Sequence, residues 1–288
     1  MANTFFSSPA MLTWLLLLFT PTALSVKIYL CGDSTMAKSP DNIIHGWGEK
    51  FPPFVTVPVV NKAMGGRSAR SYTVQKRFQE VITLALPGDV VIISFGHNDP
   101  GSLKVDNGRT DCPGAGTETC KSTFQGQPVI VKTFPAYLTE AGVALVAKGA
   151  KVVFSSMTPN NIWEGGSGAY VPTRFTEYAR QAALAVGEGA TFVDHGLYTA
   201  KAYKALGATK VNSFYMKDHT HTNEAGAQVV AQAFVKAVMC AQDVNLMPYM
   251  KTSVPPPKTT APAIKNASPA IKHTGLGIKA VVPPVGAC

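Results

Sequence analysis

The stretch KDHTHT, residues 217–222, places one carboxylate and two imidazoles within four positions. An imidazole with a carboxylate on one nitrogen can take a proton from a hydroxyl at the other. Asp218 and His219 are adjacent, so their side chains diverge. Asp218 and His221 are three apart and fall on one side of a turn or first helical loop. This makes His221 the candidate base and Asp218 its orienting acid, and leaves His219 without an assigned role. A rival reading lets His219 and His221, alternate residues of an extended segment, hold a metal with Asp218. His97 is its one loose additional ligand, so no metal is expected.

Three other stretches carry groups that could complete such a site. GDSTM (Gly32–Met36) offers Ser34 as a nucleophile, with a backbone N–H at the start of an expected helix where an oxyanion is favoured. NKAMGGRSARS offers Gly65 and Gly66, where a backbone N–H can approach a ligand unobstructed. FGHNDPG offers the side-chain amide of Asn98. Each has a plainer explanation as a helix cap or a turn. Together they supply a nucleophile and oxyanion donors for acyl transfer.

The elements around these stretches explain why they should meet. Short, nearly continuous apolar runs at 26–31, 57–61, 89–95, 151–156 and 190–194 read as strands covered on both faces. Segments 69–86, 134–148, 173–187 and 225–240 have helical spacing. Pro172 suits the start of the third, and Gly149 and Gly187–Gly189 suit helix ends. Alternating strands and helices predict a three-layer α/β/α sandwich around a five-stranded parallel sheet, flavodoxin-like in layout. Ligands of such sheets sit beyond the carboxyl ends of the strands. Ser34, Gly66 and Asn98 follow the first three. Residues 101–130 form a Gly-rich excursion that could border the site.

Outside the domain, assigned to residues 26–243, the character changes. An apolar run centred on residues 11–20, then small residues up to Ser25, reads as a secretory signal (1–25), although no positive charge precedes it; a buried N-terminal helix is the alternative. Residues 244–288 are expected to be a flexible tail, rich in Pro, Lys and Thr, with a glycosylation sequon at Asn266. The protein is thus expected to be secreted, with no further membrane-crossing segment. Its net charge of +9 suits an anionic partner, outside a cell acidic polysaccharide or lipid rather than nucleic acid. Secretion permits disulfides. Cys112 and Cys120 flank a glycine-rich loop they could close, Cys240 and Cys288 could staple the tail, and Cys31 lies in an apolar run as a buried thiol. Other pairings stay open.

The four blocks, GDSTM, GGRSARS, GHND and DHTH, resemble those of the SGNH (GDSL-type) hydrolases. With NGRTDC (Asn107–Cys112) and SSMTPNNIW (Ser155–Trp163), the chain is most similar to the rhamnogalacturonan acetylesterase subgroup, over residues 26–240. The resemblance implies a Ser34–His221–Asp218 triad and an oxyanion hole from the N–H groups of Ser34 and Gly66 and the amide of Asn98. It implies no cofactor and a substrate that is an acetylated, acidic pectic polysaccharide; a monomer is expected. Arg67, Arg70 and Arg109 lie where they could meet uronate carboxylates, Arg67 and Arg109 being the preferred pair. The basic tail and Cys31 depart from the family pattern. Alternatives are an esterase or lipase for xylan or short acyl esters, and a wall-binding protein without catalysis.

Overall fold

The computed structural model describes Met1 and residues 25–39 and 41–251. The expected signal, Asn266, Cys288 and most of the expected tail lie outside the described residues.

Five strands form one parallel sheet: β1 (Ile28–Gly32), β2 (Val59–Asn61), β3 (Val90–Ser94), β6 (Lys151–Ser155) and β7 (Ala190–Val193), in the order β2-β1-β3-β6-β7. β1 is central enough to pair with both β2 and β3, and Gly32 stands opposite Ser94. Alternate residues of each strand enter opposite layers. Tyr29, Cys31, Val91, Ile93, Val152 and Phe154 face one apolar cluster. Ile28, Leu30, Val90, Ile92, Val153 and Val193 face the other. Burying both faces is what the unbroken apolar runs required. Each fully buried Leu, Ile or Phe adds about 1.5–3 kcal/mol.

On the first face pack α1 (Ala69–Val74), α2 (Arg77–Leu84), α3 (Phe134–Ala147) and α4 (Arg174–Val186). On the second lie α5 (His195–Leu206) and α7 (Glu224–Ala241), with the short α6 (Ala208–Asn212) between them in sequence. The three-layer sandwich expected from the sequence is the fold observed.

Several details differ from expectation. The segment 69–86 is two helices, because Lys76 adopts a left-handed conformation (φ 59°). The break lets Phe78 and Val81 reach the core. No α-helix follows β1; residues 33–37 form a turn in which the Met36 and Ala37 N–H groups donate to the Asp33 carbonyl. The 101–130 excursion contains an antiparallel hairpin, β4 (Thr119–Phe124) and β5 (Gln127–Lys132). Finally, the domain does not stop at 243. Leu246 is fully buried, Met250 bridges Val55, and the Lys251 N–H donates to the Phe54 carbonyl. Apolar Leu246, Met247 and Tyr249 drive this packing against the second layer.

Cys112 and Cys120 are disulfide-bonded, and Cys31 is free and buried. Cys240 is disulfide-bonded as well; its expected partner, Cys288, lies outside the described residues.

Candidate active site

The site lies beyond the carboxyl ends of β1, β2 and β3. Directly after β1, the buried Asp33 carboxylate accepts from the N–H (2.9 Å) and hydroxyl (2.8 Å) of Thr35. This local ring holds Ser34 between them. The Trp47 N–H and the Asn61 amide donate to the carbonyls of Thr35 and Met36, pinning the turn from outside.

His221 is delivered from the far end of the chain. Asp218 organises its own loop: Oδ1 accepts from the N–H groups of Thr220 (2.7 Å) and His221 (2.8 Å). Its Oδ2 meets His221 Nδ1 at 2.8 Å. Asn223 caps α7 through the Gly226 N–H, fixing where the loop ends. Burial would raise the Asp218 carboxyl, but the bonds from the His221 ring and from the two N–H groups outweigh it and hold it below the usual range. An ionised carboxylate only accepts. His221 therefore carries its proton on Nδ1 and presents a lone pair at Nε2, which lies 2.7 Å from Ser34 Oγ. Residues 187 positions apart thus form a continuous relay from hydroxyl to imidazole to carboxylate.

The next two strands bring further hydrogen-bond donors towards Ser34. The Lys62 and Met64 N–H groups donate to the carbonyls of Leu30 and Gly32, carrying the β2 segment past its end alongside β1. This brings Gly65 against Ser34: a Cβ on Gly65 would lie 3.7 Å from the serine Cβ. Gly66 has φ 73° and open space on its side-chain face, a conformation that favours glycine. After β3, the Asn98 Nδ2 donates to the Arg67 carbonyl at 3.1 Å, and its Oδ1 accepts from Arg109 at 3.4 Å. One amide hydrogen remains for a ligand. The structure therefore joins Ser34, His221 and Asp218 directly, with Gly66 next to the Gly65 that abuts Ser34 and Asn98 bonded to the following Arg67.

Other expected residues sort differently. Arg70 is buried and forms a two-pronged pair with Asp106 (2.8 Å on both arms), so it holds the excursion loop and does not face the cleft. It stands in the first turn of α1 with its side chain buried. Arg67 is partly exposed on the Gly65 carbonyl and Gln75, and Arg109 is exposed beside Asn98. Cys31 turns into the core near Tyr72, where burial pushes its thiol up to about 12. His219 pairs with Glu164 at 3.1 Å, away from His221. Among the described residues no group of three or more His, Cys, Asp or Glu is placed to hold a metal.

Two contributors were not given their part from sequence, where Asp99 was passed over and His97 figured only as a loose metal ligand. Asp99 is fully buried, and its Oδ1 accepts from the Ala69 N–H at 2.8 Å, tying the Gly66 turn to the Asn98 loop. His97 meets the Thr158 hydroxyl at 3.3 Å, linking the same loop to the segment after β6, and burial holds it below the ordinary imidazole range. Both flank Asn98 in GHND, where an acid that bonds the neighbouring helix start was the available signal.

Comparison with known proteins follows this geometry. The family described as GDSL-like lipase/acylhydrolase matches residues 28–234. The chain belongs to that family. It is therefore a carboxylic ester hydrolase of the SGNH type, and the match spans all the site residues named above. A GDSL relative, the rhamnogalacturonan acetylesterase of Emericella nidulans, is 54% identical over 221 residues, covering 77% of this chain and 88% of that protein. Rhamnogalacturonan acetylesterase RhgT of Bacillus subtilis is 25% identical, covering 74% and 89%. Among solved structures, the YXIM protein of Bacillus subtilis superposes with a TM-score of 0.61 at 20% identity, a likeness that shows the fold. It covers 77% of this chain, which spans 58% of that protein's length.

Proposed function

We propose that this GDSL hydrolase is a secreted serine esterase that removes acetyl groups from pectic rhamnogalacturonan. The observation that carries the reading is the relay of 2.7 Å and 2.8 Å bonds joining Ser34, His221 and Asp218. The substrate rests on the likeness to the Emericella enzyme, and Arg67 and Arg109 beside Asn98 favour a carboxylate-bearing chain. The apolar run before Ser25 supports secretion.

In this mechanism His221 Nε2 takes the Ser34 proton as Oγ attacks the acetyl carbonyl. The Asp218 carboxylate stabilises the imidazolium that forms. Negative charge on the carbonyl oxygen is met by the N–H groups of Ser34 and Gly66 and the free amide hydrogen of Asn98. The intermediate collapses, the C–O bond to the sugar breaks, and His221 returns the proton to the departing oxygen. A water then attacks the acetyl-serine by the same route. It loses a proton to His221, and the proton restores Ser34 as acetate leaves.

The test is acetate release from acetylated rhamnogalacturonan and from acetylated xylan. Release from the first should be faster. Ser34→Ala should lower turnover by about 10⁴–10⁶ while the unfolding transition stays in place. Substantial acetate from Ser34→Ala would remove the mechanism; equal rates on both polymers would remove the substrate.

A further inference from the structure

The side chain of Arg109 is exposed, yet the loop that carries it is held from behind at many points. Residues 106–110 are gripped at both ends by the buried Arg70 of α1. One of its guanidinium nitrogens donates to Asp106 Oδ1 and to the Thr110 carbonyl, the other to Asp106 Oδ2, each at 2.8 Å. Inside the grip, Asn107 Oδ1 accepts from the N–H groups of Arg109 (2.8 Å) and Thr110 (3.0 Å), and the Gly108 N–H donates to Asp106 at 2.7 Å. Gly108 has φ 74°, and a Cβ there would lie 2.5 Å from the Phe124 ring of β4, so the hairpin packs against the loop. These bonds fix where the Arg109 side chain starts, and its Nη1 donates to Asn98 Oδ1 at 3.4 Å.

That contact closes a ring. Asn98 Nδ2 donates to the Arg67 carbonyl, Arg67 stands three residues before Arg70, and Arg70 holds the loop that returns to Asn98. The amide thus meets an acceptor at its nitrogen and a donor at its oxygen. Turned over, it would set its oxygen against the Arg67 carbonyl and its NH₂ against the guanidinium, and both bonds would be lost. The guanidinium also acts on the strength of the donor. A cation at the amide oxygen draws electron density from the nitrogen, and hydrogen bonds in series strengthen one another. The Arg67 side chain does not share this task, because it bonds the Gly65 carbonyl (2.8 Å) and Gln75 (3.1 Å).

We propose that Arg109 is a positioning residue for the reaction: through the Asn98 oxygen it fixes and polarises the amide, so that the free amide hydrogen meets the developing oxyanion. This rests on the reading of Asn98 as an oxyanion donor. It gives Arg109 a part in cleaving every ester, neutral ones included, apart from any contact with a uronate.

The test uses 4-nitrophenyl acetate, a neutral ester with no carboxylate for an arginine to bind. Arg109→Ala should lower kcat about tenfold with KM little changed, the scale of one charge-assisted hydrogen bond. The unfolding transition should stay in place, since the side chain is exposed. The deciding measurement is a double-mutant cycle with Asn98→Ala. That background has no amide to hold, so adding Arg109→Ala should change kcat by less than about twofold. An Arg109→Ala effect confined to the pectic polymer would overturn the proposal and make Arg109 a carboxylate binder. A cost undiminished in the Asn98→Ala background would overturn it too, and leave Arg109 a prop for its loop. If Asn98→Ala alone leaves kcat on the neutral ester intact, the oxyanion reading of Asn98 fails and the proposal falls with it.

Discussion

Asn98 shows how little freedom the site leaves a single side chain. Its amide nitrogen is anchored on the Arg67 carbonyl and its oxygen on Arg109, so the remaining hydrogen has one direction to point. Asn98→Ala removes that donor and should lower kcat on a small neutral ester by about 10²–10³ with KM little changed. A loss confined to KM would mean the amide binds substrate and does not stabilise the oxyanion. The two histidines separate on the same logic: His221→Ala should cost far more turnover than His219→Ala, whose imidazole faces Glu164. Most of this was legible in the sequence, because Ser34, Gly66 and Asn98 each follow a strand and the three-residue spacing of Asp218 and His221 fits a turn. Asp99 and the inward course of Arg70 were not. Their roles depend on what lies behind them, Ala69 in one case and Asp106 in the other, and spacing along the chain does not report that.

Among the elements, the excursion from Gly101 to Thr133 is where sequence and structure part most. Alternation on either side of Gln125-Gly126, both with positive φ, was the hairpin signal, and the many glycines around it masked the pattern. The excursion also holds a titrating group. Burial pushes the Asp111 carboxyl up to about 6, outweighing Arg174 at 3.9 Å. An unfolded aspartate titrates near 3.9, roughly. From about pH 4 to 6 the folded protein thus holds the proton that the unfolded chain has lost. The stabilisation is complete below that window and disappears as pH rises through it. Asp111→Asn should therefore lose less Tm than the wild type between about pH 4.5 and 6.5. The remaining slope belongs partly to Asp99, also buried and raised with the same sign. A steeper slope in the variant would reverse the assignment. Helix α5 went unforeseen for another reason: it starts at Asp194, which caps it through the Leu197 N–H, and the same residue had closed the expected strand.

Across the whole molecule, charge is distributed unevenly along the chain. Of the net +9, four positive charges belong to Lys258, Lys265, Lys272 and Lys279, beyond the described residues, and nine less four leaves +5 on the rest. The chain beyond residue 251 contains no acidic residue. Two sources of attraction for a polyanion are therefore separable: the arginines beside Asn98 and the lysines past the domain. At about 0.1 M salt the screening length is near 10 Å, so both weaken as salt rises while a neutral ester feels neither. Raising salt from about 0.02 to 0.2 M should slow action on the pectic polymer and leave 4-nitrophenyl acetate nearly unaffected. Replacing the four lysines with glutamine should flatten that salt response in part, and Arg67→Gln with Arg109→Gln should flatten the remainder. If the lysine replacements leave the slope intact, the terminal charges do not bring the polymer to the enzyme, and the cleft alone recognises it.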